Sequence, residues 1–290
     1  MTRCSKFLLF YLVVLSLFPI CAQGQSQASQ RNSIQCGYHF LRKNDPKEAP
    51  IQYLNMRLDY HDGESVFYDV FSFERDSLRL LAFDENGRAK DQDAYQKIAS
   101  LPRPRLDDVT IISFKNNAIT QFYRQATITI RGSQEICTPA WELQDDTCTI
   151  KGYQCKKATT KYLGRTWTVW YTEDIPLPIG PWMLWGAPGL IVSAEDDEML
   201  FSFQLVWTDL LDSFERLQFL DSRYPKNSYQ KGSSKHFVLP LKEAEQMNYR
   251  LMTDASYLFE LAGTRPMNTR NFEKKIKYIP IIHSDYWKGK

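Results

Sequence analysis

This sequence lacks several short motifs that mark common catalytic and cofactor-binding sites. It contains no G-x-S-x-G nucleophile motif, no phosphate-binding G-x-x-x-x-G-K-S/T loop, no G-x-G-x-x-G dinucleotide fingerprint and no H-E-x-x-H zinc motif. Its four histidines, His39, His61, His236 and His283, lie far apart along the chain, so no local metal-binding spacing occurs. We therefore predict no catalytic residue, no metal site and no cofactor from the sequence, which leaves an enzyme unsupported.

No apolar run is long enough to cross a bilayer as a helix. The run Phe7–Ile20 stops well short of the roughly 20 residues that a spanning helix needs. It follows Arg3 and Lys6 and is followed by small residues at 22–24, which is the pattern of a secretory signal peptide. We predict removal of residues 1–24 and export to the periplasm or the outer-membrane periphery, with no transmembrane span; an uncleaved anchor is the alternative.

The chain has almost no net charge. Its 36 basic and 34 acidic residues give +2, and removal of the signal peptide leaves 34 of each. Nucleic-acid-binding domains carry an excess of Lys and Arg on one face, because phosphates supply most of the affinity. The sequence therefore gives no argument for a nucleic-acid partner.

Cysteine is scarce, and two of the six cysteines lie in the predicted signal peptide. The other four, Cys36, Cys137, Cys148 and Cys155, form an even set, which in an exported chain suggests disulfides. A two-residue turn at 151–152 would place Cys148 opposite Cys155, at about 4.5–5.5 Å between Cα atoms and within disulfide range. Cys36 and Cys137 would then form the second pair; free thiols at 148 and 155 are the alternative.

Aromatic residues, in contrast, make up 14% of the chain, and many stand next to β-branched residues, which favours strands. Strand-like segments follow one another at regular spacing, separated by turn residues. They are residues 51–60, 65–73, 108–114, 119–130, 140–148, 153–162, 165–172, 189–195 and 198–207. The expected fold is mainly β (α+β), an antiparallel sheet that can curl as a half-barrel.

Two segments have helical patterns. A short helix is predicted within 90–99, ended by Pro102 and Pro104. Residues 241–262 carry apolar side chains at spacings of three and four, with Gly263 at the C-terminal cap position, so we predict one amphipathic helix packed on the core. The expected organisation is a signal peptide, a β domain over 25–207 and an extension over 208–290 that packs on the same domain.

Acidic pairs offer little chemistry in this sequence. Asp145 and Asp146 are neighbours on a predicted strand, where they point to opposite faces and cannot work together as an acid–base pair. The run Glu195–Glu198 lacks the alternating ligand spacing of a calcium loop. We predict a solvated hairpin turn there.

Residues 141–203 contain a series of short motifs: W-E-L, I-x-G-Y-x-C, K-A, G-R-x-W, W-Y-T, I-P, G-P-W and P-G-L-I, in that order. In their order and spacing they resemble the GLPGLI family of exported Bacteroidota proteins. K-K-x-K-Y-x-P-I, over 274–281, resembles a family ending. The resemblance implies an envelope location and a β-rich fold, more distantly like a lipoprotein-carrier half-barrel, and it brings no catalytic residues.

The signature itself departs from the family at one position. The sequence has Gly186-Ala187-Pro188-Gly189-Leu190-Ile191, with alanine where the family has leucine. Loss of a large apolar side chain is expected to widen or loosen that corner.

The prolines before the signature should take residues 175–181 out of the sheet, because proline lacks a backbone donor. The glycines allow a tight turn before the next strand. The segment is then either a corner that locks two hairpins or the mouth of a ligand site. Candidate ligand-binding residues for that mouth are Trp167, Trp170, Tyr171, Trp182, Leu184, Trp185 and Leu190.

These observations favour a non-enzymatic envelope protein that binds an apolar ligand, namely a lipid, an acyl chain or an extended peptide. The alternative is a structural or interaction protein that serves an envelope assembly or an outer-membrane receptor system. An apolar cavity would support the first, and an exposed apolar patch would support the second.

Overall fold

The structure is a computed structural model that describes residues 33–84, 88–104, 106–125, 128–211, 235–263 and 279–282. The predicted signal peptide lies outside the described residues. The strands in chain order are β1 (Ser33–Arg42), β2 (Ile51–His61), β3 (Glu64–Asp69), β4 (Val109–Ser113), β5 (Ala118–Gln125), β6 (Ile128–Glu135), β7 (Glu142–Ile150), β8 (Tyr153–Tyr162), β9 (Arg165–Thr172), β10 (Leu190–Asp196), β11 (Phe201–Leu211) and β12 (Lys235–Pro240). The helices are α1 (Val70–Ala82), α2 (Gln92–Ser100), α3 (Leu241–Thr253) and α4 (Ala255–Ala262).

All twelve strands form one sheet, in the order β12-β6-β5-β4-β3-β2-β1-β11-β10-β9-β8-β7. Every neighbouring pair is antiparallel except β12 and β6, which are parallel. Among the described strands the sheet is not closed, because β12 and β7 each have a partner on one side only. This confirms the predicted class: a mainly β fold with an antiparallel sheet of half-barrel character.

Strand alternation gives the sheet two faces with different coverings. The inner face carries Phe40, Trp167 and Phe203, which belong to the main apolar core. The outer face carries Tyr68 and Phe122, on which α1 packs with the side chain of Phe73. Helix α3 packs against β5, β6 and β12 on the inner side, so the inner face is where separate parts of the chain meet.

The predicted strand 65–73 is correct only to Asp69. There the chain turns into α1, because the Asp69 carboxylate accepts hydrogen bonds from the backbone N–H groups of Phe71 and Ser72, at 2.9 and 3.4 Å. Such a cap satisfies donors that a first helical turn leaves unpaired. Asp69 was the sequence signal for the start of a helix. We missed this signal because apolar residues alternate on both sides of Asp69, which is a strand pattern.

The predicted single strand 119–130 is also wrong. It is two strands, β5 and β6, and Gln125 pairs directly with Ile128 across the reversal. No glycine, proline or asparagine marks this reversal, so the composition of the segment gave no turn signal. The other predicted strands are present within a few residues, and β9 has the predicted bounds.

The predicted helix within 90–99 is α2, with the side chain of Asp91 as its cap. The predicted continuous helix 241–262 is instead two helices that meet at Asp254. Asp254 takes an extended backbone conformation, and its carboxylate accepts from the backbone N–H of Tyr257 at 3.0 Å. This side chain ends α3 and begins α4, which Gly263 ends in the left-handed conformation as predicted. Among the described residues, no helix has the length and apolar character needed to cross a membrane.

Candidate functional site

Residues 173–189 form what we call the plug, a segment without regular structure between β9 and β10. Backbone bonds hold it together: Gly186 N–H donates to the Pro178 carbonyl at 2.9 Å and Ile191 N–H to the Ile179 carbonyl at 2.9 Å. Side chains anchor it too, since the Trp141 indole N–H donates to the Trp185 carbonyl at 2.8 Å. The plug fills the inner face of the sheet as part of the core.

The seven predicted ligand-binding residues do not form one open surface. Five of them are buried in the core: Trp167, Tyr171, Trp182, Leu184 and Leu190. Trp170 and Trp185 are half-buried, and Trp170 projects from the opposite face of β9 to Trp167 and Tyr171. Trp182 also lines a cavity. The structure therefore places most of these side chains in packing positions.

The signature turn is packed into the core at most of its positions. Ala187, Leu190 and Ile191 are fully buried. Gly186 has φ of +84°, a conformation that glycine adopts without strain. Pro188 is exposed, whereas a Cβ added to Gly189 would lie 1.9 Å from the Thr172 carbonyl oxygen. None of these residues lines the cavity, so the departure at Ala187 is accommodated inside the core.

All four predicted disulfide cysteines are free thiols in the structure. Cys148 and Cys155 nevertheless face each other across the β7–β8 hairpin, as predicted from the turn at 151–152. Burial raises the pKa of the Cys155 thiol to about 11, so it is mostly protonated at neutral pH. Cys36 is buried in β1, and Cys137 is partly buried after β6. Both disulfides stay predictions.

A small cavity lies on the inner face, between the plug and α3; we call it the seam pocket. Its volume is about 30 Å³, which on this measure is room for about two water-sized groups. Four of the lining residues are apolar aromatics: Phe40, Phe67, Trp182 and Phe203. Six are polar or charged: Arg42, Asp108, Thr110, Gln121, Tyr123 and Glu245.

Glu245 lies in the first turns of α3 and lines the pocket. It is a buried residue, with 4% of its surface exposed. One carboxylate oxygen, Oε2, accepts from the Tyr123 hydroxyl. The other, Oε1, is buried and has no hydrogen-bond partner among the described residues. Burial raises the pKa of Glu245 to about 7, against the opposing effects of the Tyr123 hydrogen bond and the charge of Arg42.

Asp108 is the second carboxyl group of the pocket. The residue as a whole is partly exposed, but its carboxyl group is buried deeply enough to raise its pKa to about 7. The nearby negative charges of Glu245 and Asp107 raise it further, whereas Arg42 and a hydrogen bond from the Arg124 backbone lower it. Its neighbour Asp107 points to the outer face, where Ser72 and Arg124 contact it.

A short segment, Ile279–Ile282, crosses the inner face beside this pocket; we call it the clamped segment. The Arg42 guanidinium donates to the Ile279 carbonyl at 2.5 Å. The Arg165 guanidinium donates to the carbonyls of Pro280 and Ile281 at 3.0 and 2.9 Å. Ile281 lines the pocket and Ile282 is buried in the core. Two buried arginines thus hold three consecutive main-chain carbonyls.

Arg165 is itself fixed by a buried ion pair with Asp196. The N···O distance is 2.9 Å, and the two side chains are 2% and 0% exposed. Asp196 also accepts from the backbone N–H groups of Leu200 and Phe201, both at 2.8 Å. The prediction of a solvated acidic turn was therefore wrong at Asp196, whose carboxylate pairs inside the core; Glu195 and Glu198 are exposed.

Apart from Trp182, sequence reasoning missed the residues of the seam pocket. They come from β1, β3, β4 and the residues before it, β5, β11, the plug, α3 and the clamped segment, and no short motif joins positions so far apart. Two signals were present: an aspartate pair at 107–108 ahead of a strand, and a glutamate on the apolar stripe of a helix next to Ala244. Across the described ranges, no cluster of His, Cys, Asp and Glu could hold a metal ion.

Part of this chain matches a known protein family, and the fold is similar to solved structures of one protein. Residues 71–197 match the family described as N-glycanase peptide, N-terminal domain. Two crystal forms of PNGF-II, P2₁ and C2, are similar at 15% identity, with TM-scores of 0.46 and 0.45. They cover 77% and 76% of this chain, which spans only about a third of their length, 34% and 33%. No curated protein matches the chain.

Proposed function

We propose that the protein is an exported, non-enzymatic cell-envelope protein of the GLPGLI family, and that its inner face binds an extended apolar peptide. The peptide takes the place of the clamped segment beside the seam pocket. Of the three apolar ligands that the sequence favours, the geometry of this face suits the peptide best. The location in the periplasm or at the outer-membrane periphery rests on the signal-peptide pattern of residues 1–24.

One observation carries this proposal: the inner face already holds a peptide segment by its main chain. Arg42 and Arg165 donate to carbonyls of Ile279, Pro280 and Ile281. Every peptide presents carbonyls, so such contacts give affinity while pockets for side chains give specificity. The arginines come from β1 and β9, two strands of the sheet itself.

The size of the cavity argues against a lipid or an acyl chain. Sites for drug-sized ligands have volumes of about 300–1,000 Å³, whereas the seam pocket has about 30 Å³. The plug occupies the space that an acyl chain would need, with Met183 and Leu184 fully buried. An extended peptide needs no such volume, because it replaces a segment of the same shape.

The match to an N-glycanase N-terminal domain adds one ligand to test. The matched residues supply Asp108, Gln121, Tyr123 and Trp182 to the pocket, but neither Arg42 nor Glu245. A peptide that carries an N-linked glycan therefore belongs among the ligands examined. We propose no enzymatic activity for this chain, since the pocket has no room for a substrate.

Native mass spectrometry of the mature protein, purified gently from its own envelope, tests the proposal. Solvent extraction then releases any bound molecule for identification. A stoichiometric peptide is the expected result, and its amount should fall when Arg165 is replaced by methionine. A stoichiometric lipid, or protein that carries nothing, would overturn the proposal.

An interaction protein is the second candidate, and one outer-face feature favours it. Trp207 is 42% exposed on the outer face of β11, and the Arg57 guanidinium lies 5.7 Å from the centre of its ring. Gly37 makes room for this indole, since a Cβ there would lie 2.1 Å from its Nε1 atom. Tryptophan and arginine are enriched among the residues that dominate interface energies.

A further inference from the structure

The seam pocket contains more carboxyl groups than cationic groups. Asp108 and Glu245 both line it, and Arg42 is the guanidinium that faces them within the described part of the chain. Arg42 also donates to the Ile279 carbonyl and lies over the ring of Phe201 at 5.7 Å. A buried carboxylate without a countercharge is costly. One of the two carboxyl groups therefore needs either a proton or a cation from outside.

A free acceptor marks where such a cation would bind. Oε1 of Glu245 is buried and makes no hydrogen bond to any residue that the structure describes, in a residue 4% exposed. Buried polar atoms without partners are rare in folded proteins, and one at a cavity indicates a missing donor. The Tyr123 hydroxyl donates to the other oxygen, Oε2.

The charge balance of the pocket favours a cation over a neutral donor, because a cation supplies both a hydrogen-bond donor and a countercharge to the carboxyl groups. Phe40, Phe67, Trp182 and Phe203 complete the lining. Both faces of the Phe40 ring are covered, by Tyr53 at 5.1 Å and by Phe203 at 4.5 Å between ring centres. These rings therefore make the pocket apolar, which strengthens an ion pair inside it. The pocket thus combines rings, two carboxyl groups and room for about two heavy atoms.

We propose that the seam pocket is a subsite for a primary ammonium group, presented by the lysine side chain of the bound peptide. The inference rests on the proposed function, because Ile281 of the clamped segment lines the pocket and a peptide that replaces the segment would place one side chain there. The final CH2–NH3+ of lysine has two heavy atoms. It supplies a donor for Glu245 Oε1 and the charge that the two carboxyl groups lack.

Methylammonium is the probe that tests the subsite directly, because it has the same two heavy atoms. The full mature protein is titrated with methylammonium chloride while carbon-13 NMR follows the glutamate carboxyl signals, with sodium chloride at equal ionic strength as the reference. We expect a saturable shift of the Glu245 signal with methylammonium and none with sodium. Absence of a saturable shift would overturn the inference.

Two glutamates of α3 provide matched variants for this titration. Glu245→Gln should weaken methylammonium binding at least tenfold, whereas Glu243→Gln, at an exposed position on the same helix, should leave it unchanged. Because the Glu245 signal is lost in the first variant, binding is followed there by the methylammonium line width. Equal binding by both variants would contradict the subsite.

Substitutions at Ile281 separate a lysine side chain from a free amine. In Ile281→Lys the protein's own ammonium should occupy the pocket and abolish methylammonium binding, while Ile281→Met should retain it. Retained binding in Ile281→Lys would show that the pocket takes free amines and that a peptide lysine does not reach it. Methylammonium binding without any envelope peptide would overturn the proposed function and leave the subsite standing.

Discussion

Glu245 and Asp108 are placed where ionisation is costly, and this has a consequence for stability. Burial raises the pKa of Glu245 from 4.5 to about 7, so the folded protein keeps a proton that the unfolded chain releases at lower pH. Stability therefore falls as pH rises from about 4.5 to about 7 and then levels off. Arg42, Tyr123 and Asp108 are the charged and titratable groups around this carboxyl within the described part of the chain.

Replacement of Glu245 by glutamine should remove this dependence. We expect Glu245→Gln to match the wild type near pH 4.5 and to be more stable at pH 8 by roughly 1–3 kcal/mol, since each pKa unit corresponds to about 1.4 kcal/mol. Urea unfolding at the two pH values measures the difference, with Glu243→Gln as the control. A stability difference that is the same at both pH values would contradict the argument.

The buried pair of Arg165 and Asp196 should matter far more than an exposed pair of similar length. Removal of one member leaves the other charge buried, which costs about 3–5 kcal/mol. We expect Arg165→Met to lose stability of that order. The control is Lys156→Met, which breaks a 2.8 Å pair with Glu173 whose side chains are 49% and 50% exposed, and which should cost far less because solvent screens the pair.

The measurement is chemical denaturation of both variants beside the wild type. Equal losses for Arg165→Met and Lys156→Met would show that burial of the Arg165 pair adds nothing. Arg165 also stacks 4.6 Å from the centre of the Phe201 ring, which methionine replaces only in part.

At the scale of elements, the plug depends on close approach of its backbone to β9. A Cβ on Gly189 would lie 1.9 Å from the Thr172 carbonyl oxygen, and the atom it meets is backbone. We expect Gly189→Ala to destabilise the protein by about 3 kcal/mol, the upper end of the usual cost of overpacking. Thermal unfolding measures the effect.

Gly152 provides the comparison for that substitution. A Cβ there meets nothing within 4 Å, but φ is +87°, so Gly152→Ala should cost only about 1 kcal/mol from backbone strain. If Gly152→Ala were the more damaging of the two, close packing of the plug on β9 would not be what holds it in place.

The β7–β8 hairpin carries its own prediction. Cys148 faces Cys155 in register, and a disulfide between facing strands needs no backbone movement at Cα separations below about 7 Å. We expect the mature protein, purified without reductant, to contain this disulfide, detected by peptide mass mapping. Alkylation of both thiols in the folded, unreduced protein would contradict it.

Local signals predicted most elements, and their failures have identifiable causes. The turn at Lys151 and Gly152 was recognisable because the sequence has a glycine there, which two-residue hairpin turns favour. In the structure both residues have positive φ. Asp69 and Asp254 were missed because each is a helix cap inside a segment whose apolar pattern continues across it. A helix cap depends on a single side chain, whereas an apolar pattern is read from many residues. One capping residue therefore has little weight in a prediction based on the pattern.

For the whole molecule, the sequence indicated the class of fold but not the site. Trp167, Trp182 and Leu190 were conspicuous because they are large and apolar, and the same property buries most of their surface. Arg42, Asp108 and Glu245 are ordinary residues in sequence, and only the sheet order and the packing of α3 bring them together. Contacts between distant segments leave no spacing that a motif can record.

Site-specific photo-crosslinking in living cells tests the central claim, that the inner face receives a peptide, most directly. A photoreactive phenylalanine analogue replaces Leu106, which lines the seam pocket, or Leu143 on edge strand β7, which is 58% exposed. The account predicts cross-links to an extended segment of another polypeptide from position 106 and few from position 143. Cross-links from position 143 alone, or adducts at 106 that contain lipid and no peptide, would contradict it.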